Sequence, residues 1–249
     1  MKTIDDIAQE HFGKEIILAG NGPGLVIMPS AGDFFARYMQ NVRDRENGVG
    51  RDINGYNPPL TKVTRLADNS KPLWSINGGH SYHPGSNLGW MMDNHLSHSA
   101  ASHPQPEFYD GLIKDSKIPI ITSKAYPAYP AMVEFPLKEV VKKFKSKRFD
   151  ETVDYMLAFS GYCGVKKVTV IGCDYQLFDR FPGERAGTEY WIGRLEGLGI
   201  EIDTSPSQNL MKPSPGRGAF FHPTFYGYSF DDPTANDPEV LEIVESIHY

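Results

Sequence analysis

The sequence predicts an α/β protein with a mostly parallel sheet and helices on both faces. Helices and apolar strands alternate in the second half of the chain, and a glycine-rich turn follows the first apolar strand. Polar residues also follow several other strands. Such alternation is typical of a parallel sheet, which binds ligands at the carboxyl ends of its strands.

The first strand and its turn are the strongest local signal. The apolar run at 16–19 ends in Gly20, Asn21, Gly22 and Pro23. Glycine lets a ligand approach the backbone closely, so a strand with such a turn is typical of a mononucleotide-binding unit. The spacing is neither the dinucleotide-binding fingerprint nor a P-loop. A tight turn without a ligand is the alternative interpretation.

The clearest helix–strand pattern begins at Asp150 or Thr152, either of which could cap a helix that ends at Cys163. Gly164 has the position usual for glycine after a helix. The Val- and Ile-rich run Lys167–Ile171 predicts a strand buried on both faces. A helix at 188–198 and a strand at 200–203 follow.

The other elements are less regular. Thr3 as N-cap predicts a helix over 3–13, and Pro238 marks the start of a C-terminal helix. Further predicted elements are strands at 73–77, 90–94 and 118–122, a loop at 85–89 and a basic helix at 137–146. We expect a single nucleotide-binding α/β domain over 1–249, with a loop-rich insertion at about 26–60.

Polar residues collect just past the predicted strand ends. They are Asn21, Asn77, Asp93, Asn94 and Asp174. The carboxyl ends of parallel strands share one edge of the sheet. An asparagine amide both donates and accepts hydrogen bonds, as recognition of a base edge or a ribose hydroxyl requires. This edge is therefore the predicted nucleotide site.

Composition narrows the function classes. The formal net charge of −6 gives no support for a broad nucleic-acid-binding face. The two cysteines, Cys163 and Cys173, lie in segments that appear buried, which favours a reducing compartment. The amino terminus is polar, and no apolar stretch approaches the roughly 20 residues that span a bilayer. We therefore expect a cytoplasmic protein without a membrane span.

Two stretches carry a resemblance to a known family. The stretch from Ile17 to Leu25 resembles the "strand–Gly-Asn-Gly-Pro-Ser-Leu" opening of bacterial CMP-sialic-acid-dependent sialyltransferases. The motility accessory factors and archaeal pterin-pyrophosphokinase-like proteins share this opening. The stretch from Thr152 to Tyr175 resembles the same group's helix, turn, strand and Gly-x-Asp ending, and the match continues to Asn209. The resemblance covers about half of the chain and implies a Rossmann-like fold.

The resemblance also implies a nucleotide site. Its members would be Gly20, Asn21, Gly22, Pro23, Asn77, Asn94, Thr152 and Asp174. Asn77 matches an asparagine that contacts the cytidine monophosphate part, and Thr152 matches a small hydroxyl residue near the phosphate. The transferases carry a catalytic histidine after the Gly-x-Asp strand, whereas residues 176–187 here contain none.

Candidate catalytic residues lie elsewhere. His80 and His83 form one of two His-x-x-His pairs in a stretch that also holds Asp93. These residues could bind a divalent ion, act as acid or base, or belong to an ordinary surface loop. Arg185 lies where the resemblance places chemistry and could clamp a phosphate, or form an exposed ion pair.

Three function classes follow from these observations. The leading one is a transferase with a nucleotide-activated donor, most simply a nucleotide-sugar-dependent glycosyltransferase. Arg185 would stabilise the leaving phosphate, and His80, His83 or Asp93 would be the general base. The second is a nucleotide-binding or sensing protein without catalysis. The third is a pyrophosphoryl transferase with Mg²⁺ as cofactor, held by Asp93 and Asp174. The acceptor and the oligomeric state stay open.

Overall fold

The computed structural model describes residues 2–20, 71–76, 79, 85–92, 113–173, 175, 182–207, 210–211, 233–234 and 236–246. In chain order, the elements are α1 (Ile4–His11), β1 (Glu15–Ala19), β2 (Leu73–Ile76), β3 (Ser86–Met91), β4 (Ile120–Thr122), β5 (Met132–Glu134), α2 (Leu137–Phe144), α3 (Thr152–Cys163), β6 (Lys167–Ile171), α4 (Pro182–Glu196), β7 (Glu201–Asp203) and α5 (Pro238–Ser246). The predicted insertion at 26–60 lies outside the described residues.

The described strands form one parallel sheet in the order β5-β4-β3-β2-β1-β6-β7. β1 pairs with β2 on one side, with Ile17 opposite Leu73, and with β6 on the other, with Glu15 opposite Lys167. β6 is thus an interior strand between β1 and β7. The predicted α/β class is confirmed.

Both faces of the central strands are buried. On β1, Ile16 and Leu18 belong to the main core cluster, whereas Ile17 and Ala19 belong to a smaller cluster on the other face. Successive strand residues point to opposite faces, so a strand buried on both sides must be apolar throughout. That requirement explains why residues 16–19 are all apolar and do not alternate between apolar and polar.

The main core joins the sheet to four helices, because residues of α1, α2, α3 and α4 all enter one cluster. α3 lies at the centre and contacts α1, α2, α4 and β3. Aromatic rings dominate this core: Phe159 of α3 packs against Trp74 and Trp90 of the sheet at centroid distances of 5.8 and 5.5 Å. Such rings bury large apolar areas.

Helix ends follow the predicted signals in part. Thr3 caps α1 with a capping box, in which Thr3 Oγ1 accepts from the Asp6 N–H at 3.2 Å. Gly164 ends α3 in the left-handed conformation at φ 72°. The N-cap of α3, however, is Glu151, so neither Asp150 nor Thr152 occupies the cap position.

Three other predictions on elements were wrong. The loop predicted at 85–89 is mostly strand, since β3 begins at Ser86, and β5 was not predicted. α4 begins at Pro182 rather than 188. In β3, Ser86 and Asn87 bond to β2: Ser86 Oγ lies 2.9 Å from Ser75 Oγ, and Asn87 Oδ1 accepts from the Leu73 N–H. These non-local bonds explain why polar residues lie in a strand.

Candidate functional site at the carboxyl edge of the sheet

The strand order reverses once, between β1 and β6. From β1 the chain adds β2 to β5 in one direction, and it then returns to place β6 and β7 on the opposite side of β1. In open parallel sheets, such a reversal leaves a crevice outside the carboxyl ends of the two strands, and ligands bind there. In this protein, a crevice is therefore expected beyond the carboxyl ends of β1 and β6, at Ala19 and Ile171.

Gly20 lies directly at this crevice. Its N–H donates to the Ile171 carbonyl at 2.7 Å, which continues the pairing of β1 with β6. A Cβ atom on Gly20 would lie 2.3 Å from the Gly172 carbonyl oxygen and 2.7 Å from Cys173 Sγ. The close approach of the two strand ends therefore requires glycine at this position.

Two helices begin at the same edge of the sheet. α3 leads into the amino end of β6 and therefore starts at the carboxyl edge, and α4 follows the carboxyl end of β6 and starts there as well. Thr152 is the first residue of α3. The N-cap residue, Glu151, makes no side-chain hydrogen bond to the first turn. The first N–H groups of a helix have no partner within the helix, and the helix dipole also favours an anion there. The uncapped first turn of α3 is the basis for the predicted contact of Thr152 with a phosphate.

A cluster of hydroxyl and carboxyl groups joins the end of β6 to the starts of both helices. We call it the hydroxyl–carboxyl cluster, and its members are Glu151, Asp154, Tyr175 and Thr188. Thr188 Oγ1 lies 2.7 Å from the Tyr175 hydroxyl, 2.8 Å from Glu151 Oε1 and 3.1 Å from Asp154 Oδ1. The Tyr175 hydroxyl also donates to Glu151 Oε1. Asp154 and Thr188 are fully buried.

The backbone at Tyr175 is unusual, because it has a φ of 48°. Residues other than glycine seldom adopt the left-handed region, and a bulky aromatic residue there needs support from its surroundings. The hydrogen bonds of the Tyr175 side chain to Glu151 and Thr188 give that support. The cluster therefore fixes the course of the chain just beyond β6.

Burial changes the acidity of both carboxyl groups. It raises the pKa of Glu151 to about 7, and the neighbouring charges of Asp154 and Glu184 add to the increase. It raises the pKa of Asp154 to about 6, although the Asp150 N–H donates to Asp154 Oδ2 at 2.7 Å and lowers it. A carboxyl group that titrates near neutrality at the ligand-binding edge is a candidate for proton transfer.

The predicted site residues fall into two groups. Gly20, Thr152 and Arg185 lie in the described part, and the first two belong to elements that meet at the crevice. Arg185 lies in the first turns of α4, where its Nε is 2.7 Å from Glu189 Oε1. The following predicted residues lie outside the described residues: Asn21, Gly22, Pro23, Asn77, His80, His83, Asp93, Asn94 and Asp174.

Sequence analysis missed Glu151, Asp154 and Thr188. The Thr188 hydroxyl reaches Asp154 across 34 positions of sequence and Glu151 across 37. Local spacing does not report contacts of that range. The available signal was the acidic pair Asp150 and Glu151 at the predicted start of α3, of which only Asp150 was considered, as a cap.

Two further observations concern the described ranges alone. They contain no group of three or more His, Cys, Asp or Glu side chains arranged to hold a metal ion. Nor does any helix in them have the length and apolar character needed to cross a membrane.

Comparison with known proteins gives a similarity at the level of the fold. No protein-family model matches the chain, and no curated protein matches it. Solved structures of the sialyltransferase CstII from Campylobacter jejuni are similar to it. The complex with cytidine-5'-monophosphate has a TM-score of 0.41 and 14% identity over 76% of this chain and 78% of that one. The complex with CMP-3FNeuAc has a TM-score of 0.41 and 15% identity over 76% and 79%.

Proposed function

We propose that this protein is a transferase that uses a nucleotide-activated donor, most simply a nucleotide sugar. One observation carries the proposal: the reversal of strand order between β1 and β6 falls on the turn that begins at Gly20. A ligand site is expected at such a reversal, and a strand followed by a glycine-rich turn is typical of nucleotide binding. The position therefore predicts a ligand site, and the sequence pattern indicates that its ligand is a nucleotide.

The roles of the remaining residues belong to the proposal. The turn Gly20, Asn21, Gly22 and Pro23 would contact the nucleotide. The remaining members of its binding site would be Asn77, Asn94, Thr152 and Asp174. Thr152 would contact a phosphate at the start of α3, because the side chain of Glu151 leaves the N–H groups of that turn uncapped. Arg185 would give up its contact with Glu189 and stabilise the leaving phosphate. The general base would be His80, His83 or Asp93.

The first experiment is a thermal-shift screen of CMP, UDP and GDP and of their sugar conjugates, followed by calorimetry on the best ligand. A ligand that binds only the folded state raises the apparent stability. We expect one nucleotide to bind and its sugar conjugate to be hydrolysed slowly or transferred when acceptors are added. Binding without turnover would identify a nucleotide sensor, and a strict requirement for Mg²⁺ would indicate pyrophosphoryl transfer. If no nucleotide binds, the proposal is wrong.

Thr152 provides a sharper test of where the phosphate binds. Since Thr152 is not the N-cap, we expect Thr152→Ser to fold with nearly unchanged stability. Thr152→Asp should fold with a modest loss, because its carboxylate adds to those of Asp150 and Asp154 although an acidic first turn by itself favours a helix. The aspartate places a carboxylate where the phosphate should bind, and like charges repel. Calorimetry should show a loss of about tenfold or more in nucleotide affinity for Thr152→Asp. Thr152→Ser is the matched control and should bind as wild type does.

A further inference from the structure

We propose that Glu151 and Asp154 hold one proton between them through the hydroxyl of Thr188, and that its loss loosens the junction of α3, α4 and the end of β6. This junction would then be a pH-sensitive device at the edge of the crevice. The inference does not rest on the proposed function, because it concerns the chain without a ligand.

The first step is a count of protons. Four oxygen–oxygen contacts hold the hydroxyl–carboxyl cluster together: Tyr175 to Glu151, Tyr175 to Thr188, Thr188 to Glu151, and Thr188 to Asp154. The two hydroxyl groups supply one hydrogen each, and an ionised carboxylate supplies none. With both carboxylates ionised, half of these contacts lack a hydrogen. A proton on one of the two carboxyl groups supplies a third hydrogen for these contacts.

The second step assigns that proton. Asp154 Oδ2 accepts the Asp150 N–H at 2.7 Å, and the Glu151 N–H also bonds to this carboxylate. Glu151, in contrast, bonds to two hydroxyl groups, those of Tyr175 and Thr188, both through Oε1. Backbone donors favour the ionised form. Asp154 is therefore the carboxylate and Glu151 the acid, so that Glu151 donates to Thr188 and Thr188 donates to Asp154.

The third step considers the charges around the pair within the described residues. From α4, Glu184 faces Glu151, and from the segment before α3, Asp150 faces Asp154. Arg148 is occupied by Asp150, with Nε 3.1 Å from Asp150 Oδ2. From the end of β6, Cys173 and the neutral phenol of Tyr175 complete the surroundings. If both Glu151 and Asp154 were ionised, the second negative charge would be repelled by these acidic groups, which favours one proton kept on the pair.

The fourth step gives the sign of the pH dependence. Burial holds the pKa of Glu151 at about 7 against 4.5 for a free glutamate, and that of Asp154 at about 6 against 3.8. A group with a raised pKa in the folded state stabilises the fold most below its ordinary pKa, and this contribution is lost as pH rises through the raised value. The contribution of the cluster should therefore decline from about pH 4.5 to about pH 7.

The test compares wild type with Glu151→Gln, which keeps the shape of the side chain and removes the titration. Melting temperatures are measured from about pH 5 to about pH 8. Over this range, the melting temperature of wild type should fall relative to that of the variant by about 3 °C or more. Glu139→Gln, at an exposed position of α2, is the control and should follow wild type. A difference that stays constant over this range would overturn the proposal.

A second measurement covers a variant that fails to fold. In wild type, the infrared carbonyl band of a protonated carboxyl group should be present at about pH 6 and disappear on titration to about pH 8. Hydrogen exchange in the first turns of α4, corrected for intrinsic rates, should become faster over the same interval. A carboxyl group that is already fully ionised at about pH 6 would overturn the shared proton. Unchanged exchange would overturn the loosened junction.

Discussion

At the scale of single residues, the packing of the sheet itself explains why position 20 is a glycine. A side chain there would meet the backbone of Gly172, which cannot rotate away as a flexible side-chain end can. We expect Gly20→Ala to lower the free energy of unfolding by about 1–3 kcal/mol, measured by urea titration. The cause is overpacking between β1 and β6, so the loss should appear without any ligand.

Gly193 is the matched control for that substitution. It lies in α4 and is exposed, and a Cβ atom there would meet nothing within 4 Å. Glycine inside a helix costs about 0.5–1 kcal/mol relative to alanine. Gly193→Ala should therefore raise the free energy of unfolding by that amount, opposite in sign to Gly20→Ala. Equal effects at both positions would show that the contact with Gly172 does not limit Gly20.

Sequence analysis placed single residues correctly where the signal is local. Thr3 caps α1 and Gly164 ends α3 as predicted, because a cap and a helix end are decided by a few neighbouring residues. Gly20 directly follows β1, as the end of the apolar run predicts. The proton-bearing residue Glu151 was missed, because its partners Tyr175 and Thr188 reach it only through the fold.

At the scale of elements, the ends of a helix or strand were likewise predicted correctly only where a local sequence signal marks them. The run Lys167–Ile171 is continuous and apolar, so β6 was predicted with its observed ends. β5 has only three residues and is part-exposed, with no apolar run to mark it. The start of α4 was missed because Pro182 and Gly183 indicate a turn, although proline is well tolerated in the first turn of a helix.

The contact of α3 with its neighbours gives a prediction for these elements. Gly161 of α3 is buried, and a Cβ atom there would lie 2.5 Å from Leu195 Cδ2 of α4 and 3.0 Å from a ring carbon of Phe144 of α2. Gly161→Ala should lower the free energy of unfolding by about 1–3 kcal/mol, because the buried side chains of Leu195 and Phe144 must shift to admit the methyl group. Thermal or urea unfolding would measure this loss.

A second substitution identifies the cause. Leu195→Val removes the atom that the new Cβ would meet, so it should make room for the alanine. The double variant Gly161→Ala with Leu195→Val should then lose less stability than the two single variants added together, with a coupling of about 0.5 kcal/mol or more. Additive losses would mean that Leu195 is not the obstacle, and that the contact with Phe144 or the helix backbone is.

At the scale of the whole molecule, the described strands form one parallel sheet, and the reversal of their order between β1 and β6 marks where a ligand is expected. Sequence analysis predicted the sheet and its carboxyl edge from polar residues after the strands. The order of the strands, which places the crevice between β1 and β6, followed only from the pairing in space. Strand order depends on crossover connections and core packing, and neither leaves a periodic pattern in the sequence.

The buried thiols test whether this core opens as one unit. Cys163 and Cys173 are both buried, and burial raises the pKa of the Cys163 thiol, so little reactive thiolate exists there in the folded protein. In Cys173→Ser, reaction of Cys163 with a thiol reagent in native buffer should be slow and should accelerate with urea along the global unfolding curve. The unfolded variant, which exposes the same thiol, is the control for intrinsic reactivity. Rapid labelling of Cys163 without urea would show that the end of α3 opens separately from the sheet, and that this core is not a single cooperative unit.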